Sequence, residues 1–320
     1  MLLHTKININ PLNQTIHYVN GLLFLGSCFA DEIGSICRGL GFHALVNPFG
    51  VLYNPASIAQ SMERLQNGKP FGHDEVIEVG EGQYCTFSHN TAFWRPSETN
   101  LLEQVNKSLA QAHEHFVKTQ WVIISLGTSW AFRHKQSGLV VSNCHKLPAN
   151  QFERVFLPVE QSLKYLSEIV AQHPDKQFIF TVSPLRHLKD GLHENQLSKA
   201  ALLLAVDQVC KAFCNAHYFP AYEILLDELR DYRFYKEDMV HPTEQAVHYI
   251  WERFADFAID PKEKSAMKAA SELKQMLQHK PVFPESEAYK LFELKKQQKI
   301  AEIREKYPEI RLENLSESSD

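Results

Sequence analysis

Gly21-Leu22-Leu23-Phe24-Leu25-Gly26-Ser27-Cys28-Phe29-Ala30 packs a strand, a turn and the start of a helix into one short stretch. The apolar run bounded by Gly21 and Gly26 has the pattern of a strand buried on both faces. Helical spacing follows at once. Phe29, Ile33, Ile36 and Leu40 fall on one side and Gly39 and Gly41 act as stops, which predicts a helix over 29–41. Leu25-Gly26-Ser27-Cys28 also looks like a lipoprotein cleavage site. Asn13, Gln14, His17 and Asn20 break up the stretch before it, so a strand is expected there and the protein is expected in the cytoplasm.

The same alternation continues along the chain. Dense turn formers make 47–55 a loop, and 56–65 has helical spacing. Short strands around Gly80-Glu81-Gly82 suggest a hairpin over 76–87. Buried strands are expected at 121–126 and 177–183, and a fourth at 222–226. Helices are expected at 101–117, 160–171, 194–216 and 243–258. This order predicts an α/β fold of three layers, an open and mostly parallel sheet with helices on both faces. Ligands in such sheets sit at the carboxyl ends of the strands.

A 320-residue chain with 44% hydrophobic residues can bury a large core without disulfides. Its six cysteines have no metal-ligand spacing and are expected as reduced thiols. Net charge of −5 argues against a nucleic-acid partner. No apolar run is long enough for a membrane span. His113-Glu114-His115 is not the i, i+4 pair of a zinc site and is expected to be solvated. No glycine-rich phosphate loop occurs, so neither metal nor organic cofactor is implied. The composition shifts near residue 260, dividing a domain over 1–260 from an extension over 261–320. The extension has 12 Lys and Arg and 11 Asp and Glu. It is expected as a charged helical appendage with a disordered end from 314, or else as a helix for a homo-oligomer or another partner.

Two places carry candidate chemistry. Ser27 lies between a buried strand and a helix N-terminus, where a hydroxyl nucleophile or a simple N-cap both fit. Cys28 is an alternative nucleophile if its thiol is activated. Far downstream, Asp238-Met239-Val240-His241 precedes the last core helix. Asp three residues ahead of His can fold back onto the imidazole, as a general base and its orienting carboxylate require.

Together these stretches resemble the GSCFA-domain family, which carries the Gly26-Ser27-Cys28-Phe29-Ala30 signature. Through Asp238-x-x-His241 the chain also resembles the SGNH (GDSL-like) hydrolases. The likeness spans roughly 20–260, with the extension outside it. What it implies is an ester hydrolase with Ser27 as nucleophile, His241 as base and Asp238 as its orienter. Gly50 would be an oxyanion donor. The superfamily's Gly-x-Asn is here Gly127-Thr128-Ser129, so Ser129 or Asn143 would replace the asparagine. Arg186 and His187, after the third strand, are expected to bind substrate. The implied substrate is a small acyl ester, such as an O-acylated carbohydrate. An O-acyltransferase with the same triad and a non-catalytic binding protein on this fold are the rivals.

Overall fold

The computed structural model describes residues 5–316. Among them are the strands β1 (Gly21–Gly26), β2 (His43–Val46), β3 (Val76–Gly80), β4 (Gln83–Thr86), β5 (Thr119–Leu126), β6 (Trp130–His134), β7 (Val140–Val141), β8 (Phe152–Phe156), β9 (Gln177–Val182) and β10 (Ala216–Tyr218). The helices are α1 (Cys28–Gly39), α2 (Pro55–Asn67), α3 (Glu98–Lys118), α4 (Val159–Gln172), α5 (Leu192–Ala212), α6 (Ala221–Glu223), α7 (Glu244–Ala258), α8 (Lys264–Gln278), α9 (Glu287–Lys306) and α10 (Leu312–Leu315).

The central sheet has the order β10-β9-β5-β1-β2, and every pair is parallel. Alternate residues feed opposite faces. Leu22 and Phe24 join Trp121, Ile123 and Ile179 under α1 and α7. Leu23 and Leu25 join Val122, Ile124, Phe178 and Phe180 under α2 to α5. Burial on both faces is why these strands read as continuous apolar runs. From β1 the chain moves to β2 on one side, and β5 lies on the other. That change of direction opens a crevice at the carboxyl ends of β1 and β5.

A second sheet, β7-β6-β8, is antiparallel and follows β5 directly. The 76–87 hairpin forms as β3 and β4. The strand expected at 222–226 does not form. That segment is α6 running into a π-turn at Ile224–Glu228, and the edge strand is β10 instead. A short apolar run fits a buried helix as well as a strand, and periodicity cannot separate them.

The extension is docked rather than free. Ala266, Ala270 and Leu273 of α8 are buried in the same core as α1 and α7, with Ile303, Ile310 and Leu315. Arg311 N donates to Gly41 O (2.8 Å), and Asn314 Nδ2 donates to Phe42 O (3.1 Å). Residues 314–316 are therefore ordered, contrary to expectation; 317–320 lie outside the described residues. Among the described residues no helix is long and apolar enough to cross a membrane.

Candidate active site

Three strand ends meet at a cavity of about 590 Å³, lined by Cys28 after β1, Trp130 after β5, His187 after β9 and His241 before α7. That volume suits a small ligand.

The turn after β1 sorts its side chains sharply. Gly26 has φ +130°, and a Cβ there would stand 2.0 Å from Ser125 O, so only glycine fits. Ser27 is the N-cap of α1 in an extended conformation, 1% exposed. Its Oγ accepts from Phe29 N (3.3 Å) and meets Ser125 Oγ at 2.9 Å. Its N–H donates to Ser125 O (2.9 Å). Capping turns the side chain back over the helix end, and the next residue faces outward. Cys28 thus lines the cavity, whereas Ser27, expected as the nucleophile, lies buried beneath the helix end against Ser125.

Cys28 Sγ lies 3.6 Å from Tyr53 Oη. Burial pushes the thiol up; the Tyr53 hydroxyl pulls it back, and Asp31 and Glu32 push it up again. Such a thiol rests protonated and needs a base to become nucleophilic.

His241 lines the same cavity. Its Nδ1 and Asp238 Oδ2 are 2.6 Å apart. Asp238 Oδ1 accepts from the N–H groups of Val240 and His241, each at 2.9 Å. The tight turn puts Met239 at φ +57° and is closed by Lys236 N donating to His241 O (2.8 Å). The His241 N–H, then the Val240 N–H and the imidazole, hold the Asp238 carboxyl down to about 2. A carboxylate on Nδ1–H leaves Nε2 as a proton acceptor.

Two expected oxyanion donors are committed elsewhere. Gly50 N donates to Asn47 O (2.7 Å), and a Cβ on Gly50 would stand 2.2 Å from the Asn90 side chain. Ser129 is fully buried. Its Oγ donates to Ser198 O (3.0 Å) and its N–H to Ser198 Oγ (2.7 Å), tying the turn after β5 to α5. Neither residue lines the cavity. Asn143 does, and its Oδ1 accepts from His145 N (2.7 Å), which leaves its amide NH₂ as a donor for a ligand. The Cys28 N–H, in the first turn of α1, is a second such donor.

Arg186 and His187 both line the cavity. Burial, with Lys199, Arg154 and His241 nearby, pushes His187 down to about 4, so it is neutral at pH 7. Lys199 of α5 is fully buried and donates to Gly127 O and Ser183 O, each at 2.7 Å. It thereby braces the loops after β5 and β9. The histidines expected to be solvated are anchors: His113 Nδ1 meets Leu65 O (2.6 Å) and His115 Nε2 meets Leu22 O (2.8 Å).

Glu32 lies on α1 one turn beyond Cys28. Burial pushes its carboxyl up to about 7, against the pull of Lys236 and His241, and its Oε2 has no partner. A carboxyl raised from 4.5 contributes stability that is complete below pH 4.5 and lost as pH rises through about 7. Glu32→Gln is therefore expected to melt several degrees above wild type at pH 8, a gain of up to about 3 kcal/mol. The gain should vanish at pH 4. Paired melting curves at the two pH values check both the sign and the window.

Sequence reasoning missed Tyr53, Trp130, Arg154, Lys189 and Asp190, all in the cavity wall. Their elements are short and irregular, and only the sheet edge that gathers them gives them a common address.

Comparison with protein-family models gives two matches. The GSCFA family model covers residues 21–254, and the model described as GSCFA domain protein, C-terminal domain, covers 270–318. The extension thus has a family model of its own. A search of curated proteins finds no match. With the name motif at the turn after β1 and the match running from that strand into α7, the chain belongs to the GSCFA family.

Proposed function

We propose that the protein is an acyl-transfer hydrolase acting on ester bonds, with Cys28 as nucleophile, His241 as general base and Asp238 as the residue that orients it. One observation carries this: Cys28 and the Asp238-bonded His241 line the same cavity at the sheet's switch point. Cys28 Sγ attacks the ester carbonyl and its proton passes to His241 Nε2. The tetrahedral oxyanion is received by the Cys28 N–H and the Asn143 amide. His241 returns the proton to the departing alcohol, leaving an acyl thioester on Cys28. Water, deprotonated by His241, then releases the acid and restores the thiol.

Kinship with the SGNH hydrolases belongs to the same proposal. A parallel sheet with a nucleophile after its first strand and Asp-x-x-His before its last core helix supports it. A cytoplasmic setting fits as well, because the six cysteines are unbridged and a thiol nucleophile must stay reduced.

The test is turnover of 4-nitrophenyl acetate. Wild type is expected to release nitrophenol in a burst followed by a slower steady rate. His241→Ala should lose at least ~10³-fold of that turnover. A folded wild type with no turnover and no burst would sink the hydrolase proposal and favour a binding protein on this fold.

A further inference from the structure

The cavity wall holds more positive charge than it neutralises. Arg154 stacks over Trp130 (4.9 Å) and is ion-paired to Asp190, so those two charges cancel. Arg186 and Lys189 line the same cavity, and neither has a carboxylate partner among the described residues. Arg186 is held in place all the same. Its guanidinium lies 4.6 Å from the Tyr235 ring centroid and its Nη2 donates to Tyr235 Oη (3.3 Å). Its other N–H groups have no acceptor among the described residues. A fixed guanidinium with spare donors fits a carboxylate or phosphate, which accept two parallel N–H bonds. The indole N–H of Trp130, buried and unpartnered, is another idle donor in this wall. Among the described residues that line the cavity Asp190 is the one carboxylate, in a chain whose net charge is −5. With Asp238 committed to His241, cations outnumber carboxylates along this wall.

We propose that Arg186 and Lys189 form an anion subsite, so that the ester processed at Cys28 carries a carboxylate or phosphate beside its acyl bond. This rests on the thiol hydrolase proposal for the bond broken, but the subsite can be read without turnover.

The experiment alkylates the full-length protein with iodoacetate, an anion, and with iodoacetamide, its neutral analogue. Peptide mass spectrometry follows each cysteine separately. The exposed Cys214 is the internal reference. The iodoacetate-to-iodoacetamide rate ratio at Cys28 is expected to exceed that at Cys214 at least ~10-fold at low salt and to shrink at high salt. It should fall at least ~5-fold in Arg186→Gln/Lys189→Gln and stay unchanged in Lys164→Gln, a surface change on α4. Protection of Cys28 by succinate or by inorganic phosphate tells a carboxylate ligand from a phosphate one. Equal ratios at Cys28 and Cys214 overturn the anion subsite while leaving the thiol nucleophile standing. If Cys28 takes neither reagent, the nucleophile assignment fails, and calorimetry with succinate against succinamide decides the subsite alone. Succinate binding that is lost in the double variant upholds it, and absence of succinate and phosphate binding to wild type overturns it.

Discussion

Cys28→Ala is expected to lose at least ~10³-fold of ester turnover, whereas Ser27→Ala keeps the chemistry and loses stability instead. The two residues are neighbours, yet the turn at Gly26 sends them to different places. Cys28 lines the cavity that His241 also lines; Ser27 is buried against Ser125 and caps α1. On the proposed mechanism, removing the thiol takes away the atom that forms the acyl intermediate. Removing the hydroxyl leaves Phe29 N without its cap, which costs about 1 kcal/mol. Steady-state rates and melting temperatures for the pair separate the two roles. Large activity loss in Ser27→Ala, with full activity in Cys28→Ala, would reverse the assignment.

Lys199→Met is expected to be the most destabilising single change near the site. Burial pushes the Lys199 ammonium down to about 7, and its two bonds satisfy the carbonyls of Gly127 and Ser183. Methionine fills similar space but donates nothing, so two buried carbonyls lose their donor. Leaving such groups unpaired costs about 1–3 kcal/mol each. A total of about 3–5 kcal/mol would lower the melting temperature by roughly 4–8 °C. The loop after β5 leads into Trp130 at the start of β6 and the loop after β9 carries Arg186 and His187, so the cavity should loosen with them. Denaturant melts supply the stability figure, and hydrogen exchange in the two loops tells local loosening from global loss. A melting temperature within a degree of wild type would show that Lys199 is not the brace.

The three inner strands of the central sheet, β1, β5 and β9, were legible in the sequence because they are buried on both faces; the edge strands β2 and β10 are only half-buried and gave no such signal. Leu22 to Leu25 is apolar without a break, and Trp121 to Leu126 and Phe178 to Val182 are interrupted only by Ser125 and Thr181. The segment 222–226 has the same apolar look and folds as helix, since burial rather than periodicity fills it. Asp238 and His241 were legible as a pair because a three-residue spacing in a turn brings them together. The side chain that lines the cavity is one residue beyond the serine the sequence pointed to. Strand-turn-helix grammar locates the turn, but which side chain faces the cavity depends on the backbone angles at Gly26 and Ser27. Gly50 and Ser129 looked like donors in the sequence, yet their N–H groups close a turn and a loop. The docking of α8 and α10 escaped notice because their buried residues, such as Ala266, Ala270 and Leu315, are few and widely spaced among charges.

Acid-quenching the protein during turnover of 4-nitrophenyl acetate, followed by peptide mapping under conditions that preserve thioesters, tests the assignment of the nucleophile most directly. An acetyl group on Cys28, absent in Cys28→Ala and depleted by added hydroxylamine, is the predicted result. An acetyl group on Ser27, or a full burst with no adduct on Cys28, would contradict it.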